Sequence, residues 1–171
     1  MDINFWGVVY GTQAFLPYLR NRPEGNIVNI SSINGILPNP NNGPYCSAKF
    51  AVKGFTETLY QELRETTIHV SCVHPGGIKT NVARNARMNK TMYDISAEQA
   101  AALYEKELFR MSADDAAQII IKGIKKNERR IMVGRDAKIA DFLTRLFPKK
   151  MVYLSAVLTK LMIGKYAKMK T

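Results

Sequence analysis

The sequence predicts an α/β fold: a parallel sheet with flanking helices and a helical C-terminal extension. Three observations point there. Residues 26–31 (Asn-Ile-Val-Asn-Ile-Ser) and 68–74 (Ile-His-Val-Ser-Cys-Val-His) are short and rich in β-branched residues. The first is hydrophobic on both faces, as in a buried parallel sheet. Between them, Val52, Phe55, Leu59 and Leu63 recur at helical spacing, with Glu57, Glu62, Arg64 and Glu65 off the stripe. Strand, helix and strand at this spacing make a right-handed parallel βαβ unit.

Taken in order, residues 1–20 read as a helix that is apolar on most sides, which implies burial between neighbours. Pro17 and Pro23 are expected to bound its end. The first strand, 26–31, ends in Ser31 and Ser32, and Gly35, Pro38, Pro40, Gly43 and Pro44 then disfavour regular structure. A helix is predicted over 45–64, and the second strand runs to Pro75-Gly76-Gly77. Ser96 with Gln99 makes a capping box for a short helix carrying Ala100, Tyr104 and Leu108. Ser112 opens another, with Ala117, Ile120, Ile121 and Ile124 as its stripe, closed by Lys125 and Lys126, which suit the helix dipole. Residues 130–133 are a third strand, ended by Gly134. Beyond it, Ile139, Phe142, Leu143 and Leu146 form an amphipathic set, Pro148 interrupts, and the apolar run 151–163 is broken by Lys160. That run falls short of the ~20 residues a membrane span needs. One domain is expected over 1–171, with 1–134 as its sheet-bearing part and 135–171 as a basic amphipathic tail.

The charge is uneven. Of 25 Lys/Arg and 14 Asp/Glu, residues 122–171 hold 14 and 3, so they carry the whole net charge of +11. A solvated basic face, or weak attraction of 149–171 to a membrane surface, is the reading this favours. Nucleic acid is not expected, because no aromatic platform or recognition motif accompanies the lysines. Cys46 and Cys72 lie in apolar segments without metal-ligand spacing, and His69 and His74 have no ligand cluster around them. A reducing, cytoplasmic setting without a metal site is therefore expected.

The chemistry concentrates between Asn26 and Lys49. Ligands bind outside the carboxyl ends of the strands in open α/β sheets, so Ser32 and the Pro75-Gly76-Gly77 loop are expected to share one crevice. Tyr45 and Lys49 stand at i and i+4, on one helix face. A free tyrosine titrates near ~10, too high for ready proton exchange at neutral pH. An ammonium at ~4 Å, at an effective dielectric of ~20, would favour the phenolate by up to about 4 kcal/mol. That would bring the phenol into the range of a general acid/base. Tyr45 as a plain core tyrosine is disfavoured by its thirteen-residue step from Ser32 and its pairing with Lys49.

Ser32, Tyr45-Cys-Ser-Ala-Lys49, the step between them, Asn4-Phe-Trp-Gly and Pro75-Gly76-Gly77-Ile78-Lys79-Thr80 together resemble the short-chain dehydrogenase/reductase family, over residues 1 to about 135. The resemblance implies a partial Rossmann-type, doubly wound sheet. It implies hydride transfer between NAD or NADP and a carbonyl/alcohol pair, the cofactor carrying the hard chemistry. Tyr45 would be the acid/base, Lys49 would lower its pKa and hold the ribose hydroxyls, Ser32 would orient the substrate oxygen, and Asn4 would order a relay water. Pro75, Gly76, Ile78 and Thr80 would line the cofactor. Met88, Met92 and Tyr93, with Tyr104 and Phe109, fall where the family has its substrate lid and imply an apolar substrate. Helices 1–20 and 45–64 would pair copies into a homo-oligomer.

The sequence departs from the family upstream. The strand, Thr-Gly-x-x-x-Gly-x-Gly turn, NAD/NADP selector and Asn-Asn-Ala-Gly of the family are not in it. At ~30 residues per βαβ unit, about three N-terminal units are expected to be absent, leaving the acid/base half of a site and little of the phosphate cradle. Two alternatives follow: a truncated relative serving as an interaction module without turnover, and a membrane-peripheral enzyme acting on lipid-like alcohols or ketones.

Overall fold

A computed structural model describes residues 1–82, 85 and 96–168. Its sheet has three parallel strands in sequence order: β1 (Gly25–Ile30), β2 (Ile68–Pro75) and β3 (Arg130–Val133). β1 and β2 pair with Ile27 opposite Val70 and Ile30 opposite Val73. β2 and β3 pair with Cys72 opposite Arg130 and Pro75 opposite Val133. The expected parallel α/β layering with flanking helices is what forms.

Helices α1 (Gly7–Arg20) and α2 (Gly43–Leu63) cover one face. Ile27, Ile68 and Val70 point there and bury against Leu59 and Leu63, with Leu16, Leu19 and Phe55 at the margin. Because strand side chains alternate, Val73 points the other way. It packs with Ile131, Val133 and Ala116 beneath α4 (Ala113–Lys125). α3 (Ala97–Glu107) has the predicted capping box, with Ser96 and Gln99 bonded reciprocally. α5 (Arg135–Leu146) follows β3 directly, and α6 (Pro148–Lys168) turns back over the loop after β1. There the Ser155 hydroxyl donates to the Pro38 carbonyl at 3.1 Å, and Leu37, Ala140 and Met151 form a third small cluster.

Five expectations about the helices need correction. Pro17 lies inside α1 and does not end it; the helix runs on to Arg20. A π-helical turn at Asp2–Trp6 precedes α1, and the expected burial on most sides is not met. Val9 and Thr12 are its buried residues, while Tyr10, Phe15 and Tyr18 are exposed. α2 starts earlier than expected, with Pro44 in its first turn, where a missing N–H costs nothing. In α4 the buried side is Ala116, Ile120, Gly123 and Ile124; Ala117 and Ile121 face outward. α5 is turned similarly: Ala137 and Ala140 are buried, and Ile139, Phe142 and Leu146 are exposed. A close helix–sheet approach selects small residues, which apolar periodicity alone does not mark. A Cβ on Gly123 would press on Ile131, for example. No described helix is long and apolar enough to cross a membrane.

Candidate active site

Ser32, Tyr45 and Lys49 meet at the carboxyl end of β1. After Ile30 the ladder continues for one more bond, Ser31 N–H to the Val73 carbonyl at 2.8 Å. The chain then turns away in a 3-10 turn (Ile33–Gly35) capped by Ser32, whose Oγ accepts from Asn34 N–H at 3.1 Å. Ser31 donates its hydroxyl to the Lys49 carbonyl at 2.8 Å. Lys49 in turn donates from Nζ to the Ile30 carbonyl at 3.0 Å. Two crossed bonds thus fasten the first turns of α2 to the strand end. Gly35 permits the approach, since a Cβ there would overlap Ser31 Oγ and the Lys49 carbonyl.

Within this frame the Ser32 side chain is near enough to the Tyr45 phenol to pull its pKa down, and the Lys49 ammonium stands 5.7 Å from the centre of the Tyr45 ring. The ionisation differs from the expectation. Burial pushes the Tyr45 phenol above its ordinary value, more than the nearby Ser32 hydroxyl pulls it down, and the neighbouring Cys46 adds to the rise. Burial likewise lowers Lys49, partly offset by Cys72. A neutral phenol and an ammonium whose bond goes to a backbone carbonyl do not make the tight pair that would draw the phenol down. The cost of desolvating a phenolate outweighs a cation beyond hydrogen-bond reach.

Asn4 sits in the π-helical turn at the head of α1, a distortion frequent at functional sites. Asn4 and Lys49 line one groove of about 530 Å³, which runs along the outer edge of β1 from Asn26 to Ile30 and along Gly7, Gly11 and Phe15 of α1. Pro75 and Gly76 close β2 beside this corner, half-buried. Ile78 makes a parallel bridge to Met111 and packs its side chain into the cluster under α4. Thr80 is exposed, and its Oγ1 accepts from Val82 N–H at 3.4 Å. Met88, Met92 and Tyr93 lie outside the described residues.

Two residues beside the site were not singled out by the sequence reading. His74, expected to have no chemistry, is fully buried, and its Nδ1 lies 3.1 Å from the Ser32 carbonyl. With the ring neutral, Nδ1 carries the proton and donates. Asp136, at the start of α5, accepts from Gly77 N–H at 2.7 Å. Strand register supplies the first contact and a loop crossing supplies the second. The only local signal for either was a polar residue next to a strand end.

Among the curated proteins, 46% identity over 149 residues relates the chain to "Putative oxidoreductase SadH" of Mycobacterium tuberculosis, covering 85% of this chain and 52% of that protein. A second relative, the "Dehydrogenase/reductase SDR family protein 7-like" of Drosophila melanogaster, is 33% identical over 157 residues, covering 91% and 46%. The chain spans about half the length of these relatives. Among solved structures, a short chain dehydrogenase/reductase from Burkholderia phymatum in complex with NAD superposes with a TM-score of 0.72 at 25% identity, covering 83% of this chain and 54% of that one. One from Burkholderia cenocepacia in complex with NADP shares the fold at 19% identity, with a TM-score of 0.71 and coverages of 90% and 56%. The parallel α/β sheet with its flanking helices is the fold these neighbours share. The family model described as short chain dehydrogenase matches residues 1–91, and the chain belongs to that family.

Proposed function

We propose that this chain carries the proton-transfer half of an NAD(P)-dependent oxidoreductase that interconverts a carbonyl and an alcohol. The observation that carries the reading is the convergence of Ser32, Tyr45 and Lys49 at the end of β1, fastened by the crossed Ser31 and Lys49 bonds.

The residues present fit the ribose-nicotinamide part of such a cofactor. An ammonium has three donors; the Ile30 carbonyl takes one, and Lys49 lines the groove where ribose hydroxyls could accept others. Tyr45, Pro75, Gly76, Ile78 and Thr80 are our reading for the rest of the cofactor contacts, although none of them lines that groove and Ile78 packs its side chain under α4. A bound nicotinamide supplies or accepts the hydride. In the reductive direction the Tyr45 Oη–H gives its proton to the substrate oxygen, and Ser32 Oγ holds that oxygen in place. In oxidation the substrate hydroxyl returns that proton to the Tyr45 oxygen. Burial leaves the phenol protonated near neutral pH, with a proton to give but a weaker tendency to release it. Asn4 is our reading for the residue that orders a relay water, supported by its sharing a groove with Lys49. An apolar substrate is our reading for the lid segment of Met88, Met92 and Tyr93. The names of two relatives, 3-ketodihydrosphingosine reductase and D-beta-hydroxybutyrate dehydrogenase, support a ketone or hydroxy substrate.

We read 1–171 as one domain that pairs through α1 and α2. The exposed Tyr10, Phe15, Tyr18 and Phe50 on those helices support it. Weak contact of 149–171 with a membrane surface is supported by Tyr153, Leu158 and Leu161, exposed beside lysines. Liposome flotation with and without that tail tests it.

Titrating the 171-residue chain with NADH and NADPH, followed by nucleotide fluorescence, tests the central reading. Saturable binding of one of them is expected. Failure of both to bind would sink the claim that this chain is an enzyme by itself.

A further inference from the structure

The turn that ends β2 contains two adjacent glycines, Gly76 and Gly77, and the structure gives each a different reason. A Cβ on Gly76 would overlap both carboxylate oxygens of Asp136. A Cβ on Gly77 would overlap the Leu108 carbonyl. Both glycines therefore admit protein, not only ligand. The turn is gripped from two sides. On one, Gly76 N–H donates to the Val133 carbonyl at 2.8 Å and Gly77 N–H to Asp136 Oδ2 at 2.7 Å. On the other, the Gly77 carbonyl accepts from Arg110 N–H at 3.2 Å, and Lys79 N–H donates to the Met111 carbonyl at 2.8 Å.

Asp136 is placed for this by the preceding glycine. Gly134, the N-cap of α5, has φ 104°, which L side chains rarely adopt, and makes no side-chain cap bond. An aspartate in a first helical turn commonly serves its own helix. This one reaches across to an amide 59 positions earlier in the chain.

We propose that Asp136 is a positioning residue of the cofactor site. Its carboxylate clamps the Pro75-Gly76-Gly77 turn to the start of α5, and so fixes the backbone path along which Ile78 enters the cluster under α4 and Thr80 stays exposed. The clamp deepens the oxidoreductase reading and rests on it for its purpose, but not for its existence. A charge-assisted bond to a backbone amide holds the turn at one height. Without it the turn keeps only the Gly76 rung and the 108–111 contacts, and the atoms meant for the nicotinamide move with it.

The test uses the whole chain and two readouts. Amide hydrogen exchange comes first. Asp136→Ala should raise the Gly77 exchange rate at least about tenfold, the loss expected when one bond to a charged acceptor goes, while amides in the middle of β2 stay protected. Asp136→Asn, which keeps an acceptor oxygen, should stay within about threefold of the parent. An unchanged Gly77 rate in Asp136→Ala, or a rise spread over all of β2, overturns the clamp. NADH or NADPH affinity comes second: Asp136→Ala should weaken it about tenfold and Asp136→Asn should restore most of it. Equal affinity of parent and Asp136→Ala overturns the positioning role. If the parent binds neither nucleotide, the enzymatic reading and the positioning role both fail, while Gly77 exchange still decides whether the clamp exists.

Discussion

The two flanks of the sheet are built to different standards. On the β3 side, Val73, Ile131 and Val133 are no more than 1% exposed. There Arg130 bonds Asp141 at 2.7 Å, and Asp141 bonds Arg145 at 3.1 Å. On the β1 side, the strand edge faces the groove and α1 shows Tyr10, Phe15 and Tyr18 to solvent. Ser32, Tyr45 and Lys49 stand on the seam between them. They are held from behind by β2 and α2, while Lys49 opens forward into the groove. The difference teaches where precision is needed. Atoms that exchange a proton must be fixed by packed neighbours, whereas a surface that receives a ligand or another strand can stay open. An edge strand of this kind is also a pairing hazard until something covers it.

Each flank predicts its own response to substitution. Tyr45→Phe removes the exchangeable proton and little volume; turnover should fall by about 10³-fold with the circular dichroism spectrum unchanged, and retained activity would refute the assigned acid. Ile131→Ala, on the closed flank, should cost about 2–5 kcal/mol in chemical denaturation. Gly35→Ala forces a methyl against Ser31 and the Lys49 backbone, so stability should fall by about 1–3 kcal/mol and the Tyr45–Lys49 spacing should be disturbed. At the small end, Phe15→Ser on the open flank should leave stability within about 0.5 kcal/mol. A larger loss there would mean that α1 is covered in solution.

Acid should find the seam. Burial lowers the His74 pKa, against the Ser32 carbonyl bond that raises it; Arg130 and Lys53 lower it further and Glu57 opposes them. The folded protein therefore binds this proton less readily than the unfolded chain, whose histidine titrates near ~6.5. Its contribution is complete above that pH and is lost as pH falls below it. The slope is at most about 1.4 kcal/mol per pH unit for one proton. Denaturation midpoints at pH 7, 6 and 5 measure it, and His74→Asn should flatten this limb. An equally steep fall in that variant would assign the sensitivity elsewhere.

Much of this was legible in the chain itself. The strands, the helix between them, the two serine caps at Ser96 and Ser112, and the Ser32-Tyr45-Lys49 spacing follow from local rules, because a strand end, a cap and an i, i+4 pair are set by residues close in sequence. Helix rotation was less legible. Ile139, Phe142 and Leu146 outweigh Ala137 and Ala140 in any apolar count, yet the alanines are buried, since the distance between helix and sheet decides which side chains fit. The sign of the Tyr45 shift was likewise out of reach: spacing puts an ammonium on the phenol's face of the helix, but burial and the Ile30 carbonyl decide where that charge is spent. The sequence by itself determined which groups could exchange a proton. Only the tertiary structure decided that His74 would back Ser32 and that Asp136 would grip Gly77, because those bonds join residues 42 and 59 positions apart that nothing but the sheet brings together.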